Sequence, residues 1–130
     1  MMKYLIMGVV AAIVILGAAA SSPGSTYKNL KVLPRGISQA KLQRIMIDEF
    51  DDGLGVGCGF CHSEEKDSHR LDYASDAKPE KAIAREMMRM TLKVNHRFFQ
   101  VRRPGIGDST MIVNCNSCHH GQPRPEGVGE

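Results

Sequence analysis

The chain has 130 residues, with 17 Lys and Arg against 14 Asp and Glu and a formal charge of +3. That near-balance, with no Trp, three Tyr and four Phe, supplies neither the basic excess nor the stacking platform of a nucleic-acid binder. It also leaves a small domain that is short of the large apolar side chains needed to build a core unaided.

Met1-Met2-Lys3 is followed by an uncharged apolar run from Tyr4 to Ala20, ending at Ala18-Ala19-Ala20-Ser21-Ser22-Pro23. The run is long for the core of a signal peptide and short of the roughly 20 residues of a spanning helix. The expectation is an uncleaved N-terminal membrane anchor over residues 1–20, and the alternative is a cleaved signal peptide. Either fate exports the remainder, leaving Lys3 on the cytoplasmic side.

Residues 21–31 read as a linker, 32–125 as one domain and 126–130 as a tail. Val32 to Ile37 forms an extended arm ending in a turn. Ser38 is placed to N-cap a helix running to about Phe50, with Leu42, Ile45, Met46 and Phe50 on one stripe. Asp51-Asp52-Gly53 ends it. Gly53, Gly55, Gly57 and Gly59 then suit a tight backbone approach to Cys58-Gly59-Phe60-Cys61-His62.

Ser63 to Lys78 is a polar loop containing His69 and Tyr73. Pro79 opens a second helix, expected to reach about Phe99. Ile83, Met87, Met90 and Val94 form one stripe, expected to be buried, while Met88, Leu92 and Phe99 form another. A loop at Arg103 to Gly107 precedes Cys115-Asn116-Ser117-Cys118-His119. The order helix, loop and cysteine motif thus occurs twice, as a weak internal repeat.

All four cysteines lie in these two C-x-x-C-H motifs, the attachment signature of c-type haem. Cys58 and Cys61, and likewise Cys115 and Cys118, would form thioethers to the porphyrin, with His62 and His119 on the irons. A structural zinc site or a pair of redox dithiols would use the cysteines but would not need His directly after both pairs. Two porphyrins would also supply the apolar surface that the composition lacks. The fold expected is mainly α, a small dihaem cytochrome domain with two Met-bearing helices, each followed by its haem motif.

The second axial position decides between electron transfer and ligand chemistry. Met46, the only Met near the first motif beyond the leader, is the candidate for haem 1. For haem 2 the candidates are Met87, Met90, Met88 and His96, with Met87 preferred. His96 lies nine residues beyond Met87 and so falls on the opposite side of the helix. His69 and His120 are expected to be solvated or to contact a haem propionate rather than to ligate.

Charge is segregated along the chain. Seven acids (Asp48, Glu49, Asp51, Asp52, Glu64, Glu65, Asp67) stand against Lys66 between residues 48 and 67. Seven bases (Lys81, Arg85, Arg89, Lys93, Arg97, Arg102, Arg103) stand against Glu86 between 81 and 103. Sequence proximity places the acids at haem 1 and the bases at haem 2, which would give haem 2 the higher potential.

Four stretches carry a family resemblance: Leu42-Gln43-Arg44-Ile45-Met46, Gly57 to His62, Ala84-Arg85-Glu86-Met87-Met88-Arg89-Met90-Thr91 and Cys115 to Pro123. The chain resembles the multihaem cytochrome subunit of purple-bacterial photosynthetic reaction centres from about Val32 to Pro125. The resemblance implies that a helix carrying an axial Met runs along its porphyrin. The first Met of M-x-x-M-T, here Met87, would be one ligand and Met46 the other. The chain departs from the family in carrying one pair of motifs rather than two, and in His120 where Arg is usual.

The expected function is electron transfer by two haem c groups on the periplasmic side of the bacterial inner membrane, with redox proteins of a membrane complex as partners. A small dihaem peroxidase or gas or redox sensor, with one open iron position, is the alternative, and a fixed structural subunit is a third reading.

Overall fold

The computed structural model describes residues 27–125 and Gly127. The expected leader or anchor at 1–20, the start of the linker and most of the tail lie outside them. Among the described residues no helix is long and apolar enough to cross a membrane.

The Ser38 hydroxyl accepts the Lys41 N–H at 3.3 Å and starts α1, Gln39–Arg44. The helix continues without interruption as π-helical turns over Ile45–Asp52, closed by Gly53. In π turns the N–H of residue i+5 bonds the carbonyl of residue i. Ile45 is 2% exposed, with Leu42, Met46 and Phe50 packed around it as the stripe predicts. Leu33 and Ile37 of the arm reach the same core, and a turn from the Pro34 carbonyl to the Ile37 N–H fixes the arm's end.

The stretch read as a loop, 63–78, contains a minimal antiparallel hairpin. Strand β1, Ser63–Glu64, pairs with β2, Leu71–Asp72, in the register Ser63 to Asp72 and Glu64 to Leu71. Strands of two residues have no alternation to read, which is why the polar composition conceals them.

Helix α2 spans Pro79–Phe98, with Pro79 in its first turn where a missing N–H costs nothing. The expected choice of buried stripe is reversed. Met88, at 6% exposure, and Leu92 face the core, whereas Ile83, Met87 and Met90 are 59%, 38% and 49% exposed. The physical reason is Asn95, fully buried on the Met88 face. Its Nδ2 donates to the Thr91 carbonyl at 2.9 Å and the Val113 carbonyl at 2.7 Å. Its Oδ1 accepts from the N–H groups of Ile112 (2.7 Å) and Val113 (3.2 Å). One amide therefore ties the segment before the second cysteine motif to this face of α2, leaving the other stripe open.

A second polar junction joins the end of the linker to α2. Asp76 accepts from Lys31 at 2.6 Å, and from Asn29 and Arg85 at 2.8 Å each. Lys81, also buried, donates to the carbonyls of Tyr73 (2.8 Å) and Ser75 (2.5 Å) and so fixes the chain entering α2.

Two outcomes follow from these junctions. Asn95→Ala strands at least two buried backbone groups, so a loss of roughly 2–4 kcal/mol is expected in denaturant unfolding of the haem-loaded protein. The hydrogen bonds from Lys31 and then Arg85 hold the Asp76 carboxyl well below its usual range. A depressed carboxyl stabilises the fold above its unfolded value, near 3.8, and loses that contribution as pH falls from there through the folded value. Acid titrations should therefore show Asp76→Asn less stable than the parent at neutral pH, with the gap closing as pH falls below about 4.

Candidate functional site

The two cysteine motifs adopt the same local turn. In the first, Cys58–Phe60 is a 3-10 turn, and the N–H groups of Cys61 and His62 both reach the Cys58 carbonyl, His62 at 3.1 Å. In the second, α3 spans Asn116–His119, and the N–H groups of Cys118 and His119 reach the Cys115 carbonyl at 3.3 and 3.1 Å. Each turn brings its two Cys and its His onto one short helical segment. None of the four cysteines is in a disulfide.

The imidazoles are prepared differently. His119 Nδ1 lies 2.9 Å from the Gln122 carbonyl, so the Nδ1–H tautomer donates there and leaves the Nε2 lone pair for a metal. His62 Nδ1 is buried without a hydrogen-bond partner, while its ring meets Tyr73 edge-on at 5.0 Å between centroids. Burial, followed by the charges of Lys81 and Arg85, pushes the His62 pKa down and favours the neutral form that can ligate iron.

The Cys61 and Cys115 thiols are not activated. Burial, followed by the Glu49 carboxylate, pushes Cys115 up to about 12, and burial and Glu80 raise Cys61. Redox dithiols and zinc thiolates need the opposite shift. Among the described residues no three His, Cys, Asp or Glu side chains converge as a metal site, so the two cysteine pairs do not form one tetrahedral cage.

Met46 sits on the π-helical continuation of α1, half-buried against the core, whereas Met87 lies on the open stripe of α2 and Met88 is packed inside. His96 is exposed, with Nδ1 3.1 Å from the Val101 carbonyl; His69 and His120 are also exposed. The motif turns, the directed His119, the unsatisfied His62 nitrogen and the open Ile83–Met87–Met90 stripe together fit haem c.

Two sequence expectations about the surroundings are corrected. Gly53 and Gly55 approach the second motif rather than the first. A Cβ on Gly53 would lie 3.5 Å from Cys115 Cβ and from the Asn116 nitrogen, and the Gly121 N–H donates to the Gly53 carbonyl at 3.1 Å. Gly55, at φ +64°, leaves no space for a side chain against the Gly121 carbonyl. The first helix therefore ends against the second motif and places Glu49 there. At the first motif Lys78 donates to the Gly59 carbonyl, and Lys81 and Arg85 act on His62 against Asp72. Nearness along the chain thus does not assign the acids to the first haem and the bases to the second.

Sequence reasoning missed three residues that shape the second motif. Glu49, buried, accepts the Cys115 N–H at 3.2 Å. Asn114 and Ser117 cap α3 reciprocally, each backbone N–H donating to the other's side-chain oxygen at 3.0 and 3.1 Å. That i, i+3 pairing is visible in the sequence; the Glu49 contact, 66 residues long, is not.

The family model for the photosynthetic reaction centre cytochrome C subunit matches residues 8–129. Cytochrome c-554 of Chloroflexus aurantiacus is 35% identical over 102 residues, covering 78% of this chain and 22% of that protein. The photosynthetic reaction center cytochrome c subunit of Rubrivivax gelatinosus is 36% identical over 104 residues, covering 78% and 24%. The chain thus spans about a quarter of the length of these relatives. No solved structure matches it. On the strength of that match over nearly all its length, the chain belongs to the photosynthetic reaction centre cytochrome c subunit family.

Proposed function

We propose that the protein is a dihaem electron-transfer cytochrome, relaying single electrons between redox proteins of a membrane complex on the periplasmic side. The observation that carries this reading is the shared turn of the two motifs, each with its His N–H on the first Cys carbonyl at 3.1 Å. Haem c, when bound, supplies a reversible one-electron change at iron, and no substrate bond is made or broken. Cys58 and Cys61 would hold one group and Cys115 and Cys118 the other. His62 with Met46, and His119 with Met87, would occupy the axial positions. The assignment of Met87 draws on its place on the open stripe and on the family pattern. An N-terminal anchor over residues 1–20 would keep the relay at the membrane.

Intact mass and the pyridine haemochrome should return two covalent haems per chain, falling to one in Cys115→Ser/Cys118→Ser; an unmodified mass rejects the reading. Met87→Ala should remove the long-wavelength Met-to-iron absorption of one oxidised haem and open that iron to carbon monoxide. Met88→Ala should leave the spectrum intact and instead cost about 2–4 kcal/mol of stability, as core truncations do. Rapid carbon monoxide binding by the unaltered reduced protein would favour the sensor or peroxidase reading.

A further inference from the structure

Glu49 is the buried carboxylate that the relay does not yet use. It is 7% exposed, on the π-helical part of the first helix, and none of the ion pairs among the described residues includes it. Its Oε2 accepts the Cys115 N–H at 3.2 Å, at the entrance to the helical turn that carries Cys118 and His119. The approach of Gly53 to Cys115 Cβ holds the two segments in this contact. The cleft of about 480 Å³ beside Glu49 is lined by Lys41 and Arg44 and by Asp48 and Asp108. Lys41 is committed there to Asp108 at 2.5 Å.

We propose that Glu49 is a positioning residue for the second haem, fixing the start of its motif and setting a buried negative charge beside it, so that this haem is the harder of the pair to reduce. The proposal rests on the dihaem reading. Reduction takes one electron from a donor, which is itself oxidised, and lowers the charge of the ferric iron by one. A fixed anion nearby favours the oxidised side of that equilibrium, more strongly where water is excluded. Burial first, and the Glu49 carboxylate second, raise the Cys115 thiol. Lys81 and Arg85 beside His62 of the first motif act in the opposite direction, partly offset by Asp72.

The test is a spectroelectrochemical titration of the full, haem-loaded chain, carrying either Glu49 or Glu49→Gln, with haem content counted in both. Gln keeps the length and an acceptor oxygen for the Cys115 N–H but removes the charge. The expected result is an upward shift of the lower-potential step alone, with two haems retained. Met87→His, which lowers the potential of the second haem by replacing a thioether with imidazole, identifies the step that should move. Unchanged steps, an equal shift of both, or movement of the step that Met46→His lowers would overturn the proposal. If Glu49→Gln does not mature, Glu49→Asp serves: the withdrawn carboxylate should raise the same step by less, and an unchanged step overturns the proposal. A parent protein without two covalent haems would instead defeat the dihaem reading, and this inference with it.

Discussion

Shortage of apolar interior is the constraint on which the rest of this structure depends. Among the described residues the fully packed apolar side chains are Leu33, Ile37, Ile45, Met88 and Ile106, drawn from the arm, both long helices and the loop before the second motif. With the half-buried side chains around them they close one small core. A helix with apolar residues on two faces needs a neighbour on both. The chain covers the Met88–Leu92 face and leaves Ile83, Met87 and Met90 open. A flat porphyrin is a suitable neighbour for such a stripe, so cofactor and core are parts of one packing problem.

Where apolar area is scarce, directional polar contacts supply the specificity. Among the described residues Asn95, Lys81 and Glu49 are the buried polar side chains, and each hydrogen-bonds backbone of a segment with little regular structure. The segments so fixed lead into α2, into the second motif and through its first cysteine. A satisfied buried network defines one arrangement in a way that a few aliphatic contacts do not. These three residues therefore do for the loops what packing does for the helices.

The sequence was informative wherever structure is local. Ser38 and Pro79 mark the helix starts to the residue, and the C-x-x-C-H spacing implies the single turn seen at both motifs. The Leu42–Phe50 stripe identifies a packed face, although nothing in it announces π-helical turns. Between the two stripes of α2 periodicity cannot choose, because both are apolar; a polar residue, Asn95, makes the choice. The hairpin is too short to leave a pattern. Charge was misassigned for a related reason: nearness along the chain stood in for nearness in space, and the first helix ends on the motif it does not immediately precede.

That crossing has a consequence for the unit as a whole. The Glu49 to Cys115 contact joins residues 66 apart, Lys41 to Asp108 joins residues 67 apart, and Asn29 to Asp76 residues 47 apart. Each bond closes a long loop, which costs conformational entropy that grows only slowly with loop length. All of them close within residues 27–125, so one pair of motifs is braced by its own two helices and arm. The matched part is about a quarter of each relative, yet these braces all lie within the residues that the family model matches. Among the described residues the second motif is therefore held by the first helix, and the first motif by the segment that leads into α2.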